Sequence, residues 1–146
     1  MKLVTHIVAA DEDELTEVAE TASPLKIWSG VEAPGLDTVK LAALHALLTG
    51  DSLQTALDLY EPALVTGAGE DVIVLRVSGE LLEELALLDE ESLETVASEL
   101  AATEVYEKEN ADPDELRDCL TALAELAQLA ESQEQTLWVR IGMLLE

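Results

Sequence analysis

The run Val72-Ile73-Val74-Leu75-Arg76-Val77 narrows the choice of fold more than any other segment. β-Branched and aliphatic side chains suit a pleated, extended backbone. Apolar residues on both faces up to Arg76 need cover on both sides, which places the run centrally in a sheet. Two more runs read as strands: residues 2–8, Lys-Leu-Val-Thr-His-Ile-Val, and Thr136 to Met143 around Leu-Trp-Val-Arg-Ile-Gly. Leu25-Lys26-Ile27-Trp28 is a short fourth candidate. Gly30 to Gly35, with Pro34, reads as a loop, and Gly67-Ala68-Gly69 as a turn.

Helix signals fill the intervals. Asp11 with Glu14 forms a capping-box pattern ahead of the stripe Leu15, Val18, Ala19 and Ala22, and Ser23-Pro24 closes it. Asp37 caps a helix that runs to Thr49 and stops at Gly50, and Asp51 with Gln54 starts a short one closed by Pro62. Ser78 caps a helix carrying Leu81, Leu82, Leu85 and Leu88. Asp89 caps another with Leu93, Val96 and Leu100 on one face. Asp112-Pro113-Asp114-Glu115 supplies a cap, a proline at the first helical position and acids in the first turn, ahead of Leu116, Leu120, Leu123 and Ala127. Few strands separated by pairs of helices predict an α+β fold: a small mixed sheet of three to four strands with about six helices packed on it. At 146 residues with 49% hydrophobic composition, one domain with one core is expected over residues 1–146.

Charge bounds the partners. Asp and Glu total 32 against 7 Lys and Arg, a formal net charge of −25. Such a polyanion repels phosphate backbones and anionic lipid, which disfavours nucleic-acid and membrane-surface binding. A single cysteine, Cys119, leaves no disulfide framework and fits a reducing cytoplasm. The first residues show no apolar signal core, and no run approaches the roughly 18 apolar residues of a membrane span, so a cytoplasmic location is expected. Three explanations of the charge stay open: adaptation to a cytoplasm at molar salt, a cationic partner, and plain solubility.

The segment Ala43-Leu44-His45-Ala46-Leu47-Leu48-Thr49-Gly50, preceded by Leu36-Asp37, resembles the YfbM-like family of bacterial proteins of unknown function. That family pairs a leucine-aspartate start with a helix ending in H-x-L-L-T-G. The likeness extends to the strand leading into Ser78, to the Leu-Asp-Glu-Glu stretch at 88–91, to Glu104-Val105-Tyr106, and to the long helix and terminal strand. It departs where the family has a helix tryptophan, near Leu41, and between Gly50 and Asp71. The resemblance implies an α+β fold and offers no catalytic residues to carry over.

The candidate chemistry is sparse. Asp11-Glu12-Asp13-Glu14 lacks the spacing of a calcium loop, and Gly67-Ala68-Gly69 precedes a strand instead of opening a helix, as a phosphate loop would. No catalytic residue, metal ligand or cofactor site is assigned. His45, on a helix among leucines, reads as a satisfied structural residue, and Cys119 as a small hydrophobe. Two binding surfaces are expected. Between Gly79 and Asp118, 15 acids face Lys108 and Arg117. Glu83, Glu84, Glu90, Glu91 and Glu94 there fall between apolar positions, on a face suited to a basic protein partner of an immunity- or accessory-like module. The alternative is a salt-adapted housekeeping domain, with catalysis left open. It would bind a small anion at His6, Arg76, Trp138 and Arg140, which strand alternation gathers if their faces coincide.

Overall fold

The computed structural model describes residues 2–21, 24–33, 36–60, 64–66 and 72–144. Its elements in chain order are β1 (Lys2–Ala10), α1 (Leu15–Glu20), β2 (Gly30–Glu32), α2 (Thr38–Thr49), α3 (Leu53–Leu59), β3 (Leu64–Thr66) and β4 (Val72–Arg76). They continue with α4 (Gly79–Ala86), α5 (Glu90–Ala101), α6 (Glu104–Glu107), α7 (Pro113–Ser132) and β5 (Thr136–Leu144). Short 3₁₀ turns at Glu12–Glu14 and Pro24–Lys26 complete them. The α+β class stands.

The strands form one five-stranded sheet in the order β2-β1-β5-β4-β3, with every pairing antiparallel. This differs from the mixed sheet of three to four strands expected from the sequence. The reason lies between β4 and β5. A single crossover helix would deliver the chain to the far end of the sheet and make the next strand parallel. The segment carrying α4 to α7 instead returns it to the end it left, and β5 runs antiparallel to β4. The centre is β5, bonded to β1 from Lys2↔Leu144 to Ala10↔Thr136 and to β4 from Val72↔Gly142 to Arg76↔Trp138. β4 therefore lies one place off centre.

Both faces of the sheet are covered. Ile7, Ala9, Leu75, Leu137, Val139 and Ile141 point into the main core with α2, α4, α5 and α7. Val8, Ala10, Val72, Val74 and Trp138 form a smaller core with Val18 and Ala19 of α1 and with Trp28. Fully burying one such aliphatic side chain is worth about 1.5–3 kcal/mol, so the main core supplies most of the stability.

The helix caps act as the sequence implies. Asp37, Ser78, Asp89 and Asp112 accept from the free amides of Lys40, Leu81, Ser92 and Asp114. Gly50 ends α2 at φ 84°, a left-handed conformation that favours glycine, with its N–H bonded to Ala46 O. At Asp11, the backbone N–H donates to Glu14 Oε1 while Trp28 Nε1 donates to Glu14 Oε2, both at 2.9 Å.

Local misreadings cluster around β2. Leu25-Lys26-Ile27-Trp28 is not a strand: a 3₁₀ turn leads into Trp28, whose ring packs in the smaller core. The strand is Gly30–Glu32, inside the expected loop, because its register comes from pairing with β1 at His6↔Glu32 and Val8↔Gly30. The α3 cap is Ser52, not Asp51. The strand β3 and the short helix α6 have no counterpart in the sequence reading. Ala22 and the turn at Gly67-Ala68-Gly69 lie outside the described residues.

Gly30 is fixed by close approach. A Cβ there would sit 2.5 Å from Ile7 O and 2.8 Å from side-chain carbons of Val8 and Leu25. Gly30→Ala is expected to cost about 1–3 kcal/mol of unfolding free energy. Gly79→Ala, where nothing lies within 4 Å of the added carbon, serves as the neutral control. Urea denaturation of both variants checks the contrast.

Candidate functional site

Register settles where the four strand residues lie. His6 pairs with Arg140, Arg140 with Val74, and Arg76 with Trp138. Directly opposed residues share a face, so His6, Arg76, Trp138 and Arg140 all stand on the face covered by α1. Their side chains then part. Arg140 is buried and donates from Nε to Val18 O at 2.9 Å and from Nη2 to Ala19 O at 3.4 Å. These are end carbonyls of α1, where a cation complements the helix dipole. Arg76 is exposed, lies 6.0 Å from the centre of the Trp138 ring, and pairs with Glu12. Trp138 is buried and donates to Ala10 O. His6 Nδ1 is buried with no hydrogen-bond partner among the described residues. Burial holds the His6 pKa below its ordinary 6.5, opposed by the carboxylate of Glu32 and reinforced by Arg140.

The acidic residues stand as the helical periodicity implies. Glu83 and Glu84 on α4 and Glu90, Glu91 and Glu94 on α5 are all exposed. A cleft between α5 and α7 is lined by Glu90, Glu91, Leu93, Glu94, Arg117 and Thr121. Arg117 is engaged there, 3.3 Å from Glu94 and 3.9 Å from Asp118.

A second concave surface has the opposite character. α2 is apolar nearly all round, although only Lys40 to His45 are buried. Its outer side joins α3 and α6 in a groove of about 510 Å³ lined by Val39, Ala43, Ala46, Leu47, Leu53 and Val105, among others. Val39 and Leu53 are 43% and 46% exposed. Solvated helix faces are ordinarily polar, so this side of α2 is apolar surface that the described residues leave uncovered. Nothing in the sequence analysis pointed to this groove. An all-round apolar pattern on a helix bounded by Asp37 and Gly50 was the available signal.

The third feature is a polar cluster joining α2, α3 and α4. His45 is fully buried. Its Nε2 lies 2.9 Å from Asp51 Oδ2, and its Nδ1 lies 3.0 Å from Tyr60 Oη and 3.1 Å from Ser78 Oγ. A carboxylate only accepts, so Nε2 carries a proton, and in the neutral ring Nδ1 then accepts from a hydroxyl. Thr49 donates to His45 O and accepts from Asp51 N, which holds the Asp51 carboxylate beside the ring. The stretch from His45 to Asp51 is thus a helix terminus folded back on its own imidazole. Burial raises the Tyr60 pKa, which keeps the phenol a donor. Ser78 Oγ also accepts from Leu81 N as the α4 cap. The order serine, imidazole, carboxylate matches a nucleophile–base–acid relay. Here, however, the imidazole is completely covered and the serine oxygen is tied to its helix, so the arrangement clamps three helices. The structural reading of His45 agrees with this geometry. Its partners at 51, 60 and 78 were invisible as a set. Cys119 is half-buried, and burial pushes its thiol pKa up, as befits a small hydrophobe.

No protein-family model and no curated protein matches the chain. Among solved structures it is similar to YfbM from Escherichia coli, described as a protein of unknown function. The likeness covers 96% of this chain and 99% of that one, with 13% sequence identity and a TM-score of 0.43. YfbM belongs to the family that residues 36–50 resemble. Its description names no activity, so any functional reading rests on this chain's own residues.

Two measurements follow from this geometry. Tyr60→Phe removes a hydroxyl shared by His45 Nδ1 and the Ser78 amide, and is expected to cost about 1–3 kcal/mol in chemical denaturation. For His6, the unfolded chain takes up its proton near pH 6.5 and the folded chain only lower. The unfolded state therefore binds more protons in that window, and the His6 contribution to stability falls as pH drops through it. NMR titration is expected to give His6 a pKa below 6.5, and His6→Gln to remove that part of the pH dependence.

Proposed function

We propose that this protein is a cytoplasmic interaction module that binds a basic protein partner, in an accessory or immunity-like role. The observation that carries the reading is the uncovered apolar groove of α2, α3 and α6 on a chain of net charge −25. Stable interfaces need a desolvated apolar centre, and the groove offers one. The charge selects what enters. A second copy of the chain would bring a like charge and be repelled, whereas a cationic partner is attracted. Glu83, Glu84, Glu90, Glu91 and Glu94 then act in steering, which raises association rate and suppresses wrong partners more than it adds affinity. An amphipathic basic helix fits this combination, with apolar residues at helical spacing in the groove and lysines or arginines outward.

A small-anion site at His6, Arg76, Trp138 and Arg140 draws less support. The Arg140 donors serve the α1 carbonyls and Arg76 pairs with Glu12. A salt-adapted housekeeping domain would need molar potassium chloride for cooperative unfolding. The interaction module is expected to be stable in dilute buffer.

The reading is tested by titrating the protein with a synthetic leucine–lysine amphipathic helix. Leu47→Glu is expected to weaken binding at least about tenfold, roughly 1.4 kcal/mol or more. Joint neutralisation of Glu90, Glu91 and Glu94 to glutamine is expected to slow association and flatten its salt dependence. If Leu47→Glu binds like the wild type, and neutralising Glu17, Glu20 and Glu131 has the same effect as neutralising the α5 set, the binding is bulk polyanion attraction and the reading fails.

A further inference from the structure

We infer that His45, Asp51 and Glu80 form a binding site for a divalent d-block cation, with zinc the closest chemical fit. One donor atom from each lies within 4.8 Å of the other two. The three come from the end of α2, the residue just after Gly50, and the first turn of α4. The sequence places them 6 and 29 residues apart, outside any local metal motif, and only the packing of α4 against α2 brings them together. An imidazole nitrogen with two carboxylate oxygens is a donor set that suits zinc, and leaves a fourth position for water. Glu80 is exposed and Asp51 half-buried, so that position opens to solvent.

The buried part of the site is already oriented. A ligating imidazole needs its other nitrogen fixed by a hydrogen bond. His45 has this on Nδ1, from Tyr60 Oη at 3.0 Å and Ser78 Oγ at 3.1 Å. In the free protein Nε2 holds the proton and points it at Asp51. On metal binding the Nε2 lone pair goes to the cation and the proton resides on Nδ1, which donates to Tyr60 Oη. Tyr60 in turn donates to Ser78 Oγ, 3.3 Å away. Hydroxyls donate or accept by rotation, so Nδ1 finds a partner in either tautomer without moving a buried atom. To admit the ion, Asp51 Oδ2, now 2.9 Å from Nε2, must draw back while Glu80 moves in. Zinc–ligand bonds of about 2.0–2.2 Å put tetrahedral donors about 3.4 Å apart, and the exposed Glu80 side chain is free to make that movement.

A second group, Asp11, Asp13 and Glu14, has similar spacing but does not qualify. It lacks an imidazole, and both Glu14 oxygens are committed, to the Asp11 amide and to Trp28 Nε1. Those bonds hold the Glu14 pKa below its ordinary value.

The test uses Zn²⁺ alone with the full chain. Calorimetric titration is expected to show one site that Glu80→Gln weakens at least about tenfold and Asp13→Asn leaves unchanged. Glu80 is exposed, so its variant keeps the fold. Long-range ¹H–¹⁵N spectra of the histidine rings supply the second readout. His45 is expected to change from the Nε2–H to the Nδ1–H tautomer with one equivalent of Zn²⁺, while His6 stays as it was. The inference is overturned if the His45 signals do not move, or if Glu80→Gln binds Zn²⁺ as tightly as the wild type.

Discussion

The pairing of β1 with β5 is the interaction on which the rest of the structure hangs. Nine residues from one end of the described chain lie against nine from the other, Lys2–Ala10 against Thr136–Leu144. This ladder makes the centre of the sheet. It brings β2 to one flank and β4 with β3 to the other, and presents Ile7, Ala9, Leu137, Val139 and Ile141 as the floor on which the helices pack. The contact is as non-local as the chain allows, so the loop-closure entropy of more than 100 residues must be offset before the sheet contributes. α4 and α5 both pack on α7, which leads straight into β5. Hydrophobic burial on that helical layer is what offsets the cost.

Scarcity of positive charge shapes the interior. With 7 Lys and Arg against 32 acids, several of the cations hold elements together. Arg140 ties α1 to the sheet through backbone carbonyls. Lys40 is buried, 2.6 Å from Glu109 and 5.4 Å from the centre of the Tyr106 ring, joining α2 to the segment after α6. Arg117 bridges α7 to Glu94 of α5. A buried cation whose donors are satisfied fixes a geometry, and removing its partner leaves an uncompensated charge. The same scarcity leaves the outer carboxylates largely without cations, and that is the source of the long-range field.

The field and the groove complement each other. Charge acts at a distance and selects sign, but it is screened beyond about 8–10 Å in physiological salt. Apolar surface acts only in contact, but it supplies the bulk of the binding energy. α2 serves three ends on one helix: its inner side closes the core, its last turns position His45, and its outer side lines the groove.

The sequence by itself determined the features that depend on neighbours a few residues away. Asp37 with Gly50, Ser78, Asp89 and Asp112-Pro113 set helix ends because caps and left-handed glycines satisfy amides and carbonyls within one turn. The alternation in β1, β4 and β5 likewise put His6, Arg76, Trp138 and Arg140 each on a definite face of its strand. Tertiary structure decided everything whose partner is distant. Gly30–Glu32 became a strand because β1 pairs with it, and Trp28 turned inward to pack with Val18 in the smaller core. The four strand residues came to share a face through register, yet their side chains parted because the end carbonyls of α1 and the Glu12 carboxylate lay within reach. The set His45, Asp51, Tyr60, Ser78 and Glu80, and the bare side of α2, exist only once α3, α4 and α6 have packed. Hydrogen bonds to a helix end are local in sequence, whereas burial and side-chain convergence are properties of the assembled fold.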